Sequence, residues 1–274
     1  MTIELDGPLL LAGAGKMGGA MLAGWIEHGL DPRLVVVQDP GPPPEVDALL
    51  KKHDIPVSAE VSRLDRPPAV LVAAVKPQAM DIVFPPLARL VDADTLVLSI
   101  AAGKSMASFA RHLPPATAVV RAMPNTPAAI GRGITGVCAN AHVDTPRRAL
   151  AETLLAAVGE VAWVDDEAVI DAVTAVSGSG PAYVFLLAEC LAEAGRKAGL
   201  DADTAARLAR ATVSGAGELL YRSDLPAADL RRNVTSPGGT TAAALEVLMA
   251  EGGLQDLMTR AVAAAATRGR ELAG

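Results

Sequence analysis

The chain has 274 residues, of which 51% are hydrophobic and 20% charged, enough for one large or two ordinary globular domains. A net charge of −7 and a pI near 5.1 argue against nucleic acid or an anionic membrane as a partner. The acidic N-terminus lacks the basic region of a signal peptide, and no apolar run approaches the roughly 18 residues of a membrane helix. We therefore expect a cytoplasmic protein with no membrane partner.

The titratable side chains that often hold metals are sparse. Cys138 and Cys190 belong to no Cys/His cluster, so we expect two reduced, buried thiols and no metal site. The four histidines fall outside all the motifs described below, and we interpret them as surface residues: His28, His53, His112 and His142.

Short apolar runs of buried-strand length alternate with helical patterns through the first half of the chain. Near-continuous apolar strands of this kind predict an α/β fold with a parallel sheet covered on both faces. In such sheets ligands bind at the carboxyl ends of the strands, where each run is followed by a distinct motif. The predicted strands are residues 8–12, 34–37, 69–75, 95–100 and 118–122.

Gly13, Gly15 and Gly18 form a Gly-x-Gly-x-x-Gly pattern between the first predicted strand and a helical pattern over residues 20–29. The first glycine allows a tight turn, the second lets the backbone approach a pyrophosphate, and the third packs helix on strand. The pattern and its flanks predict a dinucleotide site. The alternative is a tight strand–helix turn that binds no ligand.

Asp39 ends the second predicted strand, 21 positions after Gly18. A carboxylate there can bond a ribose 2′-hydroxyl, whereas a 2′-phosphate would meet like charge at a penalty of about 1–4 kcal/mol at 4 Å. No arginine follows in Gly41-Pro42-Pro43-Pro44 to offset it. The pattern favours NADH over NADPH. The alternative is that Asp39 caps a turn before Pro40 and faces water.

From residue 166 the strand pattern gives way to helical periodicity, with several helices apolar on more than one face. Helices of this kind are usually buried, which here favours a homodimer formed through them; the alternative is a self-contained helical domain. We therefore predict a dinucleotide-binding domain over residues 1–165 and a helical dimerisation and substrate-binding domain over 166–274. The predicted helices are residues 168–176, 182–199, 202–221, 227–233, 240–251 and 254–272.

Residues Val234-Thr235-Ser236-Pro237-Gly238-Gly239-Thr240-Thr241 precede one of these helices. Ser236 and Thr240 are residues that can cap a helix, leaving the amides of Gly238, Gly239 and Thr240 exposed at its start. Bare amides at a helix N-terminus bind carboxylates and phosphates, so the segment predicts an anion site.

Five motifs follow one another along the chain: Gly13-Ala14-Gly15-Lys16-Met17-Gly18, Ala74-Val75-Lys76-Pro77-Gln78, Arg121-Ala122-Met123-Pro124-Asn125-Thr126-Pro127, Ser177-Gly178-Ser179-Gly180-Pro181-Ala182 and the segment from Val234 to Thr241. In this order they resemble the pyrroline-5-carboxylate reductase family over essentially the full chain. The resemblance implies an N-terminal Rossmann domain and an all-helical dimerisation domain. It also implies NAD(P)H-dependent reduction of L-1-pyrroline-5-carboxylate to L-proline, the last step of proline biosynthesis. Family dimers often assemble further, commonly into decamers.

The resemblance also implies residue roles. It places the carboxylate of the substrate on the loop before the helix at residue 240, and an orienting hydroxyl near the ring nitrogen. The residues expected at the substrate are Glu167, Ser236, Gly238, Gly239, Thr240 and the catalytic Thr241. The residues expected at the cofactor are Gly13, Ala14, Gly15, Lys16, Met17, Gly18, Asp39, Ala74, Val75, Lys76, Pro77, Ile100, Ala101, Ala102 and Asn233.

Two departures from the family pattern fall in the adenosine-ribose pocket. Many members carry Ser, Asn or Arg where this chain has Gln38-Asp39, and a frequent downstream Asn is replaced near Val61. Both put the usual NADPH preference in doubt.

Several alternatives stay open at this point. Lys76 is as consistent with a solvated lysine as with a phosphate ligand, and Ser177 and Ser179 are better explained by a helix break than as nucleophiles. Glu167, in Asp165-Asp166-Glu167, also fits an ordinary acidic helix start. A related cyclic imine would need the same anion site, because one methylene changes binding by only about 1–3 kcal/mol. A non-catalytic dinucleotide sensor is the alternative from another class.

Overall fold

A computed structural model describes residues 2–273. Eight strands form a single sheet in the order β3-β2-β1-β4-β5-β6-β7-β8. The strands are β1 (Leu9–Ala12), β2 (Val35–Gln38), β3 (Val57–Ser58), β4 (Val70–Ala73), β5 (Leu96–Ser99), β6 (Ala118–Met123), β7 (Gly133–Ala139) and β8 (Gly159–Trp163).

Eleven α-helices connect and follow these strands in the described residues. They are α1 (Lys16–Glu27), α2 (Pro44–Lys52), α3 (Pro77–Ala88), α4 (Met106–Ala110), α5 (Thr145–Ala156), α6 (Ile170–Val173), α7 (Gly180–Lys197), α8 (Ala202–Arg222), α9 (Ala227–Asn233), α10 (Thr240–Leu248) and α11 (Leu254–Ala273).

The sheet is doubly wound, as the sequence predicts. From β1 the chain adds β2 and β3 on one side, then crosses to place β4 on the other side of β1, all in parallel register. This reversal creates the crevice at the carboxyl ends of β1 and β4 where such sheets bind ligands. All five predicted strands are confirmed.

Three strands of the sheet were not predicted from the sequence. β3 has only two residues, β7 is interrupted by Gly133 and Gly136, and β8 alternates half-buried with exposed positions at the edge. β7 runs antiparallel to β6, and β8 runs parallel to β7, so these two strands point opposite to the six parallel strands from β3 to β6. None of the three is the long apolar run that marks a buried parallel strand.

The two faces of the sheet carry separate apolar clusters, because successive strand residues point to opposite sides. Leu9 and Leu11 join the cluster beneath α1 and α5, whereas Leu10 joins the cluster of Phe84 and Phe109 beneath α3 and α4. The buried Trp25 ring also donates from Nε1 to the Leu154 carbonyl at 2.7 Å, which ties α1 to α5. These two layers fix the helix starts along the carboxyl edge.

The chain divides into two compact units. The sheet unit comprises the described residues up to Gly178 and those from Ala266 onward, and the helical unit spans Ser179–Ala265. The predicted boundary at residues 165 and 166 stays a prediction.

In the helical unit, α7, α9 and α10 contain no buried residue, and α8 buries only Ala205 and Ala209. Large apolar side chains are exposed along α7, including Phe185 at 63% and Leu187 at 51%. The unit therefore does not bury its own apolar surface, which argues against a self-contained helical domain.

One helical stretch, Glu167–Lys197, is long and apolar enough to cross a membrane by length and composition. This is weak evidence, since the core helix of a soluble protein passes the same test. The expectation of no membrane partner stays a prediction.

The helical pattern predicted over residues 168–176 is broken into three turns. A 3₁₀ turn (Glu167–Val169) leads into α6, and a π-helical turn covers Thr174–Gly178. Val173 packs into the space over Gly136 on β7, where any Cβ would overlap its methyl groups. This contact seats the segment on the sheet.

We predict that Gly136→Ala destabilises the protein by about 1–3 kcal/mol, because the stiff Val173 side chain cannot move aside. Val173→Ala in the same chain removes the overlapping methyls, so the double variant should lose less stability than the two single variants summed. Urea unfolding of all four proteins measures this coupling. Additive losses would show that Val173 does not press on β7 at this point.

Candidate functional site

The glycine-rich turn joins β1 to α1 at the crevice. At two of its glycines, neighbouring backbone atoms leave no room for a side chain. Gly13 has a φ of +95°, and a Cβ there would lie 2.6 Å from the carbonyl oxygen of Ala74. A Cβ at Gly18 would overlap the Gly13 carbonyl. The start of α1 therefore packs directly on the ends of β1 and β4.

Gly15 differs from these two glycines. Its φ is −68°, open to any residue, and a Cβ built on it meets no protein atom within 4 Å. Gly15 is also the N-cap of α1 and supplies no side-chain cap, so the first-turn amides face the same open space. Space and bare amides together fit a phosphate group at a helix N-terminus.

Asp39 lies beside this turn, as the motif spacing predicts. Its Oδ2 accepts from the Ala14 amide at 2.7 Å and its Oδ1 from the Gly41 amide at 2.8 Å. The carboxylate thus both caps its own turn and fastens the glycine-rich turn to the end of β2. Because a carboxylate oxygen accepts two hydrogen bonds, each oxygen keeps one acceptor site for a ligand hydroxyl.

Gln38, the residue before Asp39, is 92% buried and serves the same pocket. Its Oε1 accepts from the Val61 amide at 2.8 Å. The two positions that depart from the family pattern are therefore joined by a hydrogen bond.

The loops after β4 and β5 complete the edge. The Ala74 amide donates to Ala12, and the Ile100 amide donates to Ala73, so the strands continue in register into both loops. Lys76 is exposed at the start of α3, while Ile100 is buried below the edge. Within the sheet unit the structure thus brings together every predicted cofactor residue except Asn233.

Glu167 lies in the sheet unit and makes two close contacts there. Its Oε1 accepts from Arg121 Nη1 at 2.9 Å and from the Met106 amide at 2.7 Å. Sequence reasoning missed Arg121 as a functional candidate. The visible signal was an arginine inside an otherwise apolar predicted strand, where a charge needs a partner.

Cys138 sits opposite Arg121 across β6 and β7 and is 1% exposed. Burial, and then the Glu167 carboxylate, raise the pKa of its thiol to about 11. The thiol therefore stays protonated near neutral pH, which agrees with its interpretation as a reduced buried thiol. Cys190 is exposed on α7, so the expectation that it is also buried is wrong.

The predicted anion segment lies in the helical unit. α10 begins at Thr240 with Gly239 as N-cap, and no side chain caps it, so the predicted capping by Ser236 or Thr240 is wrong. The Gly239 amide donates to the Ser236 carbonyl, so it is not bare as the sequence predicts. The Thr240 amide and those after it remain at the start of the helix. The turn depends on Gly238, whose φ is +67°. Ser236 is exposed and Thr241 half-buried.

Asn233 is exposed as the last residue of α9, immediately before this segment. The structure therefore groups residues 233–241 within the helical unit, and the dinucleotide residues within the sheet unit. No group of three or more His, Cys, Asp or Glu that could hold a metal ion occurs in the described part of the chain.

The doubly wound sheet and its open glycine-rich turn define a dinucleotide-binding protein of the Rossmann class. Residues 9–103 match the family model described as NADP oxidoreductase, coenzyme F420-dependent. Residues 167–272 match the model described as pyrroline-5-carboxylate reductase dimerisation.

Full-length comparisons agree with both models. The chain is 42% identical to the pyrroline-5-carboxylate reductase of Pseudomonas aeruginosa, over 95% of each chain. The structure of the pyrroline-5-carboxylate reductase from Coxiella burnetii matches with a TM-score of 0.90 and 36% identity, covering 98% of this chain and 99% of that one. That of the Plasmodium falciparum pyrroline carboxylate reductase, with NADP bound, matches at 0.81 and 27% identity, covering 98% and 99%. The chain belongs to the pyrroline-5-carboxylate reductase family.

We predict that Gly15→Ala weakens NADH binding roughly 10- to 100-fold, because the new methyl enters space that only a ligand would use. Stability should change by less than about 1 kcal/mol, since the Gly15 backbone suits alanine. NADH fluorescence titration and thermal unfolding measure the two effects.

Gly18→Ala is the matched control, which should destabilise the fold through its overlap with the Gly13 carbonyl. Unchanged NADH affinity in a folded Gly15→Ala protein would favour the alternative of a structural turn without a ligand.

Proposed function

We propose that this chain reduces L-1-pyrroline-5-carboxylate to L-proline, the last step of proline biosynthesis, with a reduced nicotinamide dinucleotide. The observation that carries the proposal is the presence, in one chain, of an open dinucleotide cradle at Gly15 and a bare helix start at Thr240. Membership of the family over 95% of the chain supports the same activity.

The reaction requires little acid–base catalysis from the protein. The bound dinucleotide supplies a hydride to the imine carbon, and the ring nitrogen gains a proton to give the secondary amine. The chain's own part is to hold the ring carboxylate, orient one face of the ring and exclude water. This agrees with a site that contains no histidine among its proposed residues.

The segment before α10 is suited to the carboxylate. Its free amides lie at the positive end of a nine-residue helix, and Ser236 and Thr240 add hydroxyls beside them. Thr241 follows on the first turn, and we assign its hydroxyl to orient the ring nitrogen. A neutral hydroxyl is a poor acid, so the proton comes from water or from an already protonated imine.

The direct test is the initial rate of absorbance loss at 340 nm with pyrroline-5-carboxylate and NADH. We expect turnover that Thr241→Val lowers roughly tenfold in kcat, the value of one hydrogen bond, while the matched Thr241→Ser variant keeps most activity.

Absence of turnover in a folded protein that still binds NADH would contradict the proposal. It would favour a six-membered cyclic imine as substrate or the sensor interpretation, and the same assay with the larger imine separates these two.

We further propose that NADH is the preferred coenzyme. Asp39 supports this, because its partly buried carboxylate keeps acceptor sites for ribose hydroxyls and would repel a 2′-phosphate. The proline run after Gly41 supplies no compensating cation.

Asp39→Ser should raise the ratio of kcat/KM for NADPH to that for NADH by about tenfold or more, because it removes the repelling charge. Asp6→Ser, which removes an exposed carboxylate before β1 at the opposite edge of the sheet, is the charge-matched control and should leave the ratio unchanged. A wild-type protein that already prefers NADPH would contradict the assignment to Asp39.

We propose a cytoplasmic homodimer formed through the helical unit, supported by its exposed apolar helices and by the dimerisation model over residues 167–272. Assembly of such dimers into a decamer is a further proposal. Light scattering distinguishes twice the 27.9 kDa chain mass from ten times that mass, and a monomer would contradict both.

A further inference from the structure

The loop after β5, residues 100–105 (the β5 loop), is held at three points within the sheet unit. At its start, the Ile100 amide continues the sheet by donating to Ala73. In its middle, Lys104 Nζ bonds both carboxylate oxygens of Asp81 on α3 at 3.0 Å. At its end, the Met106 amide donates to Glu167 Oε1 at 2.7 Å.

The third attachment differs from the second in burial. Asp81 is 70% exposed, and an exposed ion pair contributes only about 0–1 kcal/mol. Glu167 is 26% exposed, and the Arg121 side chain that pairs with it is 7% exposed. The end of the β5 loop is thus fixed by a largely dehydrated pair, where electrostatic contacts are stronger than in water.

Stability alone does not explain this pair. Replacing a buried ion pair by apolar residues of similar size is often neutral or stabilising, so an arginine in the middle of a sheet needs another reason. In register, Arg121 lies between Ser99, the last residue of β5, and Cys138 on β7. It therefore presents Glu167 directly beneath the loop that follows β5.

We infer that Arg121 and Glu167 are positioning residues that set the β5 loop for the dinucleotide, and that Glu167 is not a substrate ligand. This rests on the proposed function only for the identity of the cofactor. Arg121 holds the Glu167 carboxylate, which holds the Met106 amide and so the path of residues 100–105. Loss of the pair frees that loop, which lowers dinucleotide affinity without touching the site that binds the imine carboxylate.

The test measures two ligands separately in Glu167→Ala. We expect the NADH dissociation constant, read by fluorescence, to rise about tenfold, since the variant loses a hydrogen bond to a charged group. The KM for pyrroline-5-carboxylate at saturating NADH should stay within about twofold of wild type, because no group of the anion segment changes. Glu167→Gln keeps an oxygen that can accept from the Met106 amide, so its NADH dissociation constant should lie between those of the wild type and Glu167→Ala.

A double variant separates positioning from folding. Arg121→Met with Glu167→Met replaces both charges by apolar groups, so the loss of the ion pair should not lower the urea midpoint of unfolding, and only the freed, half-buried Met106 amide should lower it slightly. The double variant should therefore fold and bind NADH more weakly than the wild type. Asp31→Asn, which breaks an exposed pair with Arg33 before β2, is the control and should change neither value.

Two results would overturn the inference. A higher substrate KM with unchanged NADH binding in Glu167→Ala would make Glu167 a substrate ligand, and wild-type NADH affinity in the double variant would make the pair purely structural. Failure of the proposed reaction is distinguishable, because the NADH titrations need no turnover. If Glu167→Ala does not fold, the double variant decides the question.

Discussion

The close approach of three backbone segments at the crevice is the constraint on which the rest of the site depends. Gly13 and Gly18 have no room for a Cβ, because the turn, the first turn of α1 and the loop after β4 are in contact there. This contact fixes where α1 begins and aims its amides at the space over Gly15. The dinucleotide site is therefore a consequence of how the glycine-rich turn packs on the sheet.

Around this point the sheet unit fixes its loops through a few buried or half-buried polar groups. Asp39 ties the end of β2 to the glycine-rich turn, Gln38 ties it to Val61, and Glu167 ties Met106 to Arg121. The bonds of Asp39 and Gln38 join the end of β2 to neighbouring loops, and those of Glu167 join the start of α4 to the interior of β6. Buried polar contacts are strong when fully satisfied, so these bonds give the loops a defined geometry.

The helical unit follows a different rule. Its helices leave large apolar side chains such as Phe185 exposed, so a stable form requires another surface to cover them. The anion segment, residues 234–241, lies between two of these helices, α9 and α10. Association through these helices and the geometry of the proposed substrate segment are therefore linked properties of the same unit.

Local sequence patterns by themselves determined the parallel strands, the glycine-rich turn, the placement of Asp39 beside it and the helix start at Thr240. Each of these features depends on residues that are close in the sequence. Only the tertiary structure decided the partners of Arg121 and Glu167, which are 46 positions apart, and the roles that distinguish Gly15 from Gly13 and Gly18. It also decided β7 and β8, whose glycines and edge exposure give no strand pattern. Contacts between distant segments depend on the order and register in which the strands pair, and no local sequence pattern determines these.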